Sequence, residues 1–139
     1  MSKAFTREDD FSDEPILPRP LQPLPAGLKN YLTADGAKSL REELVRLIQV
    51  ERPLLLAGEP DTVKRELQLL DQRVAYLAQS LDSAEIVSPP SVAGDVVRFG
   101  ANVTVRGRSG EQSQYRIVGI DETDIDRGWV SWRSPIARA

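Results

Sequence analysis

The sequence contains no cysteine and no histidine among its 139 residues. A Cys/His zinc site and a disulfide are therefore excluded, as are thiol nucleophiles and His-based catalytic triads. Only carboxylates, lysines and hydroxyls remain for any chemistry. No run of residues approaches the ~18 consecutive apolar side chains of a membrane-spanning helix. We therefore expect a cytoplasmic protein that does not contact a membrane.

An excess of positive charge is also missing. The chain carries 18 basic and 21 acidic side chains, a formal net charge of −3. Domains that hold nucleic acid by charge usually have a clear basic excess, so the composition argues against that class of protein. The hydrophobic fraction of 40 % is typical of globular chains. The length is sufficient for one ordinary domain or two small ones.

Residues 1–32 combine prolines with an acidic cluster, and this composition predicts an extended arm. Each proline fixes φ and removes an N–H donor, so neither a helix nor a central strand is favoured there. A polyproline-like arm, a disordered tail and an arm whose leucines pack on the body all remain open. The prolines are Pro15, Pro18, Pro20, Pro23 and Pro25, the acids are Glu8, Asp9, Asp10, Asp13 and Glu14, and the leucines are Leu21, Leu24 and Leu28.

Residues 33–87 are expected to form an antiparallel hairpin of two helices. Thr33 is a suitable N-cap, and Gly58 followed by Pro60 predicts the break between the helices. Each helix of about 22 residues would be roughly 33 Å long. Pro53 should kink the first helix or free the carbonyl of residue 49. Apolar steps of three and four predict a coiled-coil seam through Ala37, Leu40, Leu44, Leu47 and Leu54, with Glu51 between, and through Val63, Leu67, Leu70, Val74, Leu77, Leu81 and Ala84.

Residues 88–139 have the pattern of strands. Pro89 and Pro90 cannot continue the second helix, so they mark the joint. Apolar and polar residues alternate over 97–106, and a turn is predicted at Gly107–Gly110. Further strands are expected around 115–119 and 129–133. Three strands within 96–133 would leave one edge unpaired, and this favours association with a second copy of the chain.

An acidic loop separates the last two predicted strands. Its carboxylates alternate as in a calcium loop, but the twelve-residue ligand pattern of such loops is incomplete. A solvated turn is the competing interpretation. The residues concerned are Asp121, Glu122, Asp124 and Asp126.

Two tryptophans and four arginines are the other candidates in this block. Trp129 and Trp132 lie three positions apart, which on a strand places them on opposite faces. One is expected in the core and the other at a docking or oligomer interface, and the alternative is that both are packing residues. The arginines lie in the first predicted hairpin, where Arg106 and Arg116 are placed to face phosphates. A solvated face is the alternative, because basic and acidic residues balance in this block. The four are Arg98, Arg106, Arg108 and Arg116.

Five strings in the right order resemble the bacterial GreA/GreB transcript cleavage factors over nearly the whole chain. The most specific of them is the C-terminal Ser-Pro-Ile-Ala-Arg-Ala. The strings are MSKAFTREDD at 1–10, Asn30-Tyr31-Leu32-Thr33 before Gly36, Val50-Glu51-Arg52-Pro53, Tyr115-Arg116-Ile117-Val118-Gly119 before Asp121-Glu122, and SPIARA at 134–139.

The resemblance implies an α+β fold. An antiparallel coiled-coil hairpin (33–87) is followed by a truncated, FKBP-like antiparallel β-sheet domain (88–139). Gre factors insert the hairpin into the secondary channel of RNA polymerase, and the C-terminal domain docks at the channel rim. Nucleic acid is then met only through the transcription complex. Two acidic residues at the hairpin tip help to hold a second Mg²⁺ of the polymerase, which hydrolyses its own RNA. The chain itself would be no enzyme and would have no cofactor of its own.

The tip departs from the family pattern. The acidic motif of the family is absent, and Glu59 and Asp61 are the only acids at the break. They would be either a shifted metal-binding pair or acids that complement the dipole of the second helix. The hairpin is also several turns shorter, and a carboxylate that stops more than about 10 Å short does not reach the metal. We therefore expect weak or absent stimulation of cleavage.

The resemblance also assigns docking residues. Polymerase binding is expected from Asp121, Glu122 and the segment Ser134, Pro135, Ile136, Ala137 and Arg138. The family domain continues beyond this segment with a helix and two strands. Without that helix and those strands, one face of the three-stranded sheet is expected to be uncovered. A homo-oligomer formed through Trp129 or Trp132 would cover it. The alternatives are a competitor that occupies the channel without cleavage, a helical oligomerisation or interaction module, and an FKBP-like prolyl isomerase.

Overall fold

The computed structural model describes residues 24–139, and its helices form the larger part. Helix α1 covers Ala34–Arg46 and continues through a π-helical turn at Leu47–Glu51 into α2, Arg52–Leu56. Helix α3 covers Pro60–Ser83. The predictions for the proline-rich arm fall mainly on residues 1–23, which lie outside the described residues.

Five short strands form two separate sheets. Strands β1 (Asn30–Leu32) and β2 (Ala84–Ile86) pair in parallel at the end of the helical pair where α1 begins and α3 ends. Strands β3 (Asn102–Arg106), β4 (Gln112–Val118) and β5 (Trp129–Ser131) form the second sheet in the order β3-β4-β5. A 3₁₀ turn at Ile120–Glu122 follows β4, and a one-turn helix, α4, covers Pro135–Arg138. The chain is therefore an α+β protein, as predicted.

The second sheet corrects two predictions. Strands β3 and β4 are antiparallel, but β4 and β5 are parallel, so the expectation of a wholly antiparallel sheet is wrong. The connection after β4 passes along the helices through the 3₁₀ turn before it returns, and this lets β5 run in the direction of β4. The first strand also begins only at Asn102, because residues 97–101 form loop and turn. The two-stranded sheet of β1 and β2 was not predicted.

The two helical segments pack through the predicted seams. The six seam positions within α3 and Ala84 directly after it are all buried or half-buried. Pairs of charged side chains cross between the segments: Arg73 donates to Glu43 at 2.8 and 3.0 Å, and Arg52 lies 3.1 Å from Asp71. The core between the segments comprises Leu32, Ala37, Leu40, Leu47, Leu70 and Leu77.

Pro53 is accommodated without a break in the helix. The N–H of Arg52 donates to the carbonyl of Leu47, five residues earlier, so the turn before the proline is one residue wider than an α-helical turn. The inserted residue shifts the seam by one position. Leu54, predicted to continue it, is 68 % exposed, and Leu55 packs against the core instead.

Both predicted ends of the helices are confirmed. Thr33 caps α1, because its side-chain oxygen accepts from the N–H of Gly36 at 3.0 Å. The first segment ends at Leu56 and α3 begins at Pro60, with Gly58 between them. Within residues 24–139, no helix combines the length and the apolar character that crossing a bilayer would require.

Candidate functional site

The 3₁₀ turn Ile120–Glu122 joins the second sheet to the helices, and we call this contact the junction. Asp121 accepts hydrogen bonds from the hydroxyl of Tyr76 and, at 2.6 Å, from the hydroxyl of Ser80. Both donors lie on α3, four residues apart and therefore on one face of the helix. Both carboxylate oxygens of Asp121 are thus engaged within the chain.

A polar chain extends from Asp121 into the helical pair. Asn30 of β1 donates to the carbonyl of Ser80 at 2.9 Å and to its hydroxyl at 3.2 Å. On the other side, the guanidinium of Arg73 lies 5.7 Å from the centre of the Tyr76 ring while it binds Glu43 with two nitrogens. Asn30 and Ser80 are buried, so these hydrogen bonds satisfy groups that water does not reach.

Glu122 binds the N-terminal end of α1. Its Oε2 accepts from the backbone N–H of Thr33 at 3.0 Å and from that of Gly119 at 2.7 Å. Its Oε1 accepts from the Thr33 hydroxyl. A carboxylate at this end of a helix meets free N–H groups and the positive end of the helix dipole. The junction therefore orients the second sheet on α1 through Glu122 and on α3 through Asp121.

Two glycines permit this approach. A Cβ on Gly36 would overlap the carboxylate of Glu122. A Cβ on Gly119 would overlap the carbonyl oxygen of Tyr31 and come within 2.8 Å of Leu32 Cδ2. A side chain at Gly119 would therefore push the sheet away from the helices, and one at Gly36 would displace the Glu122 carboxylate from the end of α1.

The half-buried hydroxyl of Tyr76 makes the junction sensitive to alkali. Burial, the hydrogen bond to Asp121 and the charge of Asp121 raise the pKa of Tyr76 above its usual value of 10.0. The neutral phenol is therefore the form that stabilises the fold, and its contribution is complete below about pH 10. It decreases as the pH rises from about 10 towards the raised pKa.

We expect urea unfolding at pH 8 and pH 11 to reveal this linkage. The wild-type chain should lose more unfolding free energy between the two pH values than Tyr76→Phe, which has no phenol to ionise. Tyr115→Phe, a tyrosine outside the junction, is the control and should follow the wild type. Equal losses in the wild type and Tyr76→Phe would contradict the hydrogen bond to Asp121.

The two tryptophans do not lie on opposite faces of one strand, contrary to the prediction. Only Trp129 belongs to a strand; Trp132 follows β5, so the argument from opposite strand faces does not apply to it. The Trp132 ring packs edge-on against Tyr31 with 5.3 Å between ring centres, and its buried Nε1 has no partner among the described residues. Trp129 carries the guanidinium groups of Arg116 and Arg127 over its ring. The oligomer interface assigned to the two residues stays a prediction.

The C-terminal segment forms a capped helical turn. Ser134 Oγ accepts from the N–H of Ala137 at 3.3 Å, and Pro135 occupies the first turn of α4. Ser134 and Pro135 thus shape the turn, whereas Ile136 is 44 % exposed and Arg138 is exposed. Pro135 is exposed as well, so these three side chains of the segment are open to direct contact with a partner.

The metal-binding role of Glu59 and Asp61 stays a prediction. Glu59 caps α3 only through its backbone, and Asp61 lies in the first turn of that helix. Within residues 24–139, no three His, Cys, Asp or Glu side chains converge as metal ligands would. The calcium-loop alternative fails because Asp121 and Glu122 bind the helices. Asp124 accepts from the backbone N–H groups of Asp126 and Arg127.

Sequence reasoning found Asp121 and Glu122 but missed their partners. Tyr76 and Ser80 lie on α3 and Thr33 precedes α1, and nothing in their spacing along the chain pairs them with a loop some 40 to 90 residues later. The available signal was Gly36 in the first turn of a helix, where a glycine is unfavourable unless something approaches the backbone.

The fold and the junction define an α+β protein in which a pair of long helices is held to a small sheet by two adjacent carboxylates. The sequence profile described as "Transcription elongation factor, GreA/GreB, C-term" matches residues 91–139. GreB of Neisseria meningitidis is 36 % identical over 125 residues, which take in 79 % of this chain and 77 % of that protein. The chain belongs to the GreA/GreB family of transcription elongation factors.

Further relatives have the same range of identity. GreB of Xanthomonas axonopodis pv. citri is 38 % identical, with 78 % of this chain and 73 % of that protein covered. GreA of Alkalilimnicola ehrlichii is 39 % identical, with 78 % of each covered. A solved structure titled "Structure of the transcription factor Gfh1" covers 81 % of each chain at 22 % identity, with a TM-score of only 0.31.

The extent of the match indicates a gap in this chain. The match to the Neisseria protein extends over 125 residues, whereas 79 % of 139 residues is about 110. About 15 residues of the matched stretch, 125 minus 110, therefore have no counterpart in this chain.

Proposed function

We propose that this chain regulates transcription elongation by binding RNA polymerase in the cytoplasm. In this proposal α1, α2 and α3 form an antiparallel coiled coil that enters the secondary channel, and the FKBP-like sheet unit lies at the rim. Family membership supports the polymerase as partner. The observation that carries the proposal is the leucine core shared by α1 and α3, reinforced by the Glu43–Arg73 ion pair, because a stiff pair of helices is what a narrow channel can accept.

We further propose that stimulation of transcript cleavage is weak or lost. Glu59 and Asp61 are the only acids at the turn between α2 and α3, and the described residues bring no third ligand to them. In this proposal the gap of about 15 residues lies at the turn between α2 and α3, where about seven residues fewer in each helix would shorten the hairpin by roughly 11 Å. Mg²⁺ would therefore be shared with the polymerase poorly or not at all.

The junction suggests how the docking residues divide their work. Asp121 and Glu122 are engaged with the helices, so in this proposal they position the rim-binding surface. Ile136 and Arg138 are exposed on the capped turn of α4 and make the direct contact. This refines the expectation that Asp121 itself touches the polymerase.

Two experiments test these proposals. A pull-down with core RNA polymerase measures binding, and addition of the chain and Mg²⁺ to backtracked transcription complexes measures the release of short 3′ RNA. We expect binding of the wild-type chain without release of short 3′ RNA. Arg138→Glu should weaken binding at least about tenfold, the equivalent of 1.4 kcal/mol. Arg108→Glu makes the same charge change in the hairpin turn Gly107–Gly110 and should bind like the wild type.

The outcomes separate the candidate functions. Binding without cleavage supports a competitor of cleavage-active factors. Robust cleavage that disappears in a Glu59→Ala, Asp61→Ala double variant would overturn the second proposal and restore the metal-binding role. Absence of polymerase binding by a folded chain would overturn the first proposal and favour an oligomerisation or interaction module.

A further inference from the structure

One face of the second sheet is polar and exposed. The register of β3 and β4 pairs Asn102 with Arg116, Thr104 with Gln114 and Arg106 with Gln112. Because paired residues point to the same side of a sheet, these six side chains share one face. Parallel pairing places Trp129 of β5 next to Arg116. We call these seven residues the polar sheet face.

The centre of the polar sheet face is an arrangement of arginine on tryptophan. The guanidinium carbons of Arg116 and Arg127 lie 5.3 and 4.9 Å from the centre of the Trp129 ring. Gly128, with φ of +73°, makes the tight turn between Arg127 and Trp129, and its carbonyl accepts from the N–H of Arg116 at 2.9 Å. The indole thus holds both guanidinium groups in place. Arg116 makes no ion pair among the described residues, and Arg127 turns its Nε towards Asp124.

The face is positive although the whole chain is negative. The described strands place no acidic side chain on it, and within residues 24–139 Arg106 and Arg116 make no ion pair. Asp124 lies 3.5 Å from Arg127 at the margin, and Asp121 and Glu122 are bound to the helices. Arg106 and Arg116 therefore act locally against uncharged amides and a hydroxyl, and Arg127 lies at the margin beside Asp124. The net charge of −3 of the whole chain conceals this arrangement.

We propose that the polar sheet face binds a single-stranded polynucleotide. Arginines bind phosphates with two donors, and Asn, Gln and Thr side chains bind phosphates, sugars and base edges. Unpaired bases stack on aromatic rings and on guanidinium planes, as they do on the sheets of other single-strand binders. An acidic peptide would match the charge but would leave the tryptophan and the amides without partners. The binding is independent of the contacts proposed with the polymerase.

The test measures the binding of labelled oligo(U) and oligo(dT) of about 12 nucleotides to the whole chain by fluorescence anisotropy. Three phosphate contacts predict a slope of about −2 for log affinity against log salt, so affinity should fall about 20-fold between 50 and 200 mM. Arg106→Gln should reduce this slope by about 0.7. Arg108→Gln removes the same charge at the hairpin turn, outside the face, and should leave the slope unchanged.

A second readout follows the tryptophan directly. In a Trp132→Phe variant, Trp129 is the only tryptophan, and its fluorescence should be quenched as the oligonucleotide saturates the chain. Circular dichroism at 222 nm shows that each variant is folded. A preference for oligo(U) identifies RNA through its 2′-hydroxyl groups, and equal affinities identify recognition by phosphates and stacking; both support the proposal.

Three results would overturn the proposal. The first is the absence of saturable binding by the folded chain at 50 mM salt. The second is an equal change of slope in Arg106→Gln and Arg108→Gln, which would reduce the effect to overall charge. The third is displacement of oligo(U) by polyglutamate as efficiently as by unlabelled oligo(U), which would identify an acidic peptide as the ligand class.

Discussion

A Leu77→Ala variant is expected to lose about 3 kcal/mol of unfolding free energy. Leu77 is fully buried between α1 and α3, where it belongs to the core with Leu40 and Leu70. Removal of its side chain leaves a cavity that two long helices cannot close by a local movement, so the loss lies well above that of an average substitution. Urea unfolding followed by circular dichroism measures it.

The matched controls are two neighbouring leucines at the end of the first helical segment. Leu54→Ala removes the same atoms from a side chain that is 68 % exposed and should cost about 0.5 kcal/mol or less. Leu55→Ala should cost more than Leu54→Ala, because Leu55 packs against the core. The reverse order of the two would mean that the helix passes Pro53 without the wider π-helical turn.

These leucines show how much of the helical packing can be predicted from the sequence. The seam of α3 follows from its spacing alone, since a regular α-helix repeats its face at steps of three and four. The seam of the first segment follows only as far as Leu47. A wider turn before Pro53 adds one residue, and periodicity cannot show whether a helix bends, breaks or widens at a proline. Leu54 and Leu55 are therefore exchanged with respect to the prediction.

The two sheets show a second limit of prediction from sequence, which concerns strand direction and long-range strand pairing. Alternation and the turn at Gly107–Gly110 predict the antiparallel pair of β3 and β4, because a hairpin is a local structure. The direction of β5 depends on the path of residues 119–128 along the helices, which a strand pattern does not contain. The pairing of β1 with β2 likewise joins segments more than 50 residues apart.

The junction was predicted as a partner-binding site, and the structure gives it an internal role. The sequence alone showed Asp121 and Glu122 as part of an acidic loop, and their docking role followed from the resemblance to the Gre factors. Their ligands were not found because hydroxyls such as those of Tyr76 and Ser80 are unremarkable on a helix. Only the fold brings these donors within hydrogen-bonding distance of Asp121.

Glu122→Ala is expected to lower the unfolding free energy by about 3 kcal/mol, because backbone donors at Thr33 and Gly119 lose a charged acceptor where water does not replace it. Thr33 is 3 % exposed, and Gly119 is buried. Glu111→Ala is the control: its carboxylate accepts from exposed Ser109 in a hairpin turn, and its removal should cost about 0.5 kcal/mol or less.

A second substitution at Gly36 makes this test specific to the junction. In the wild-type chain Gly36→Ala should destabilise, because the new Cβ overlaps the Glu122 carboxylate. In the Glu122→Ala background the same change should stabilise by about 0.5 to 1 kcal/mol, because alanine is the better helix former. This change of sign is a coupling that only residues in contact produce. If Gly36→Ala has the same effect in both backgrounds, Glu122 does not bind the end of α1. If the double variant regains stability but still fails to bind the polymerase, Glu122 also contacts the partner directly.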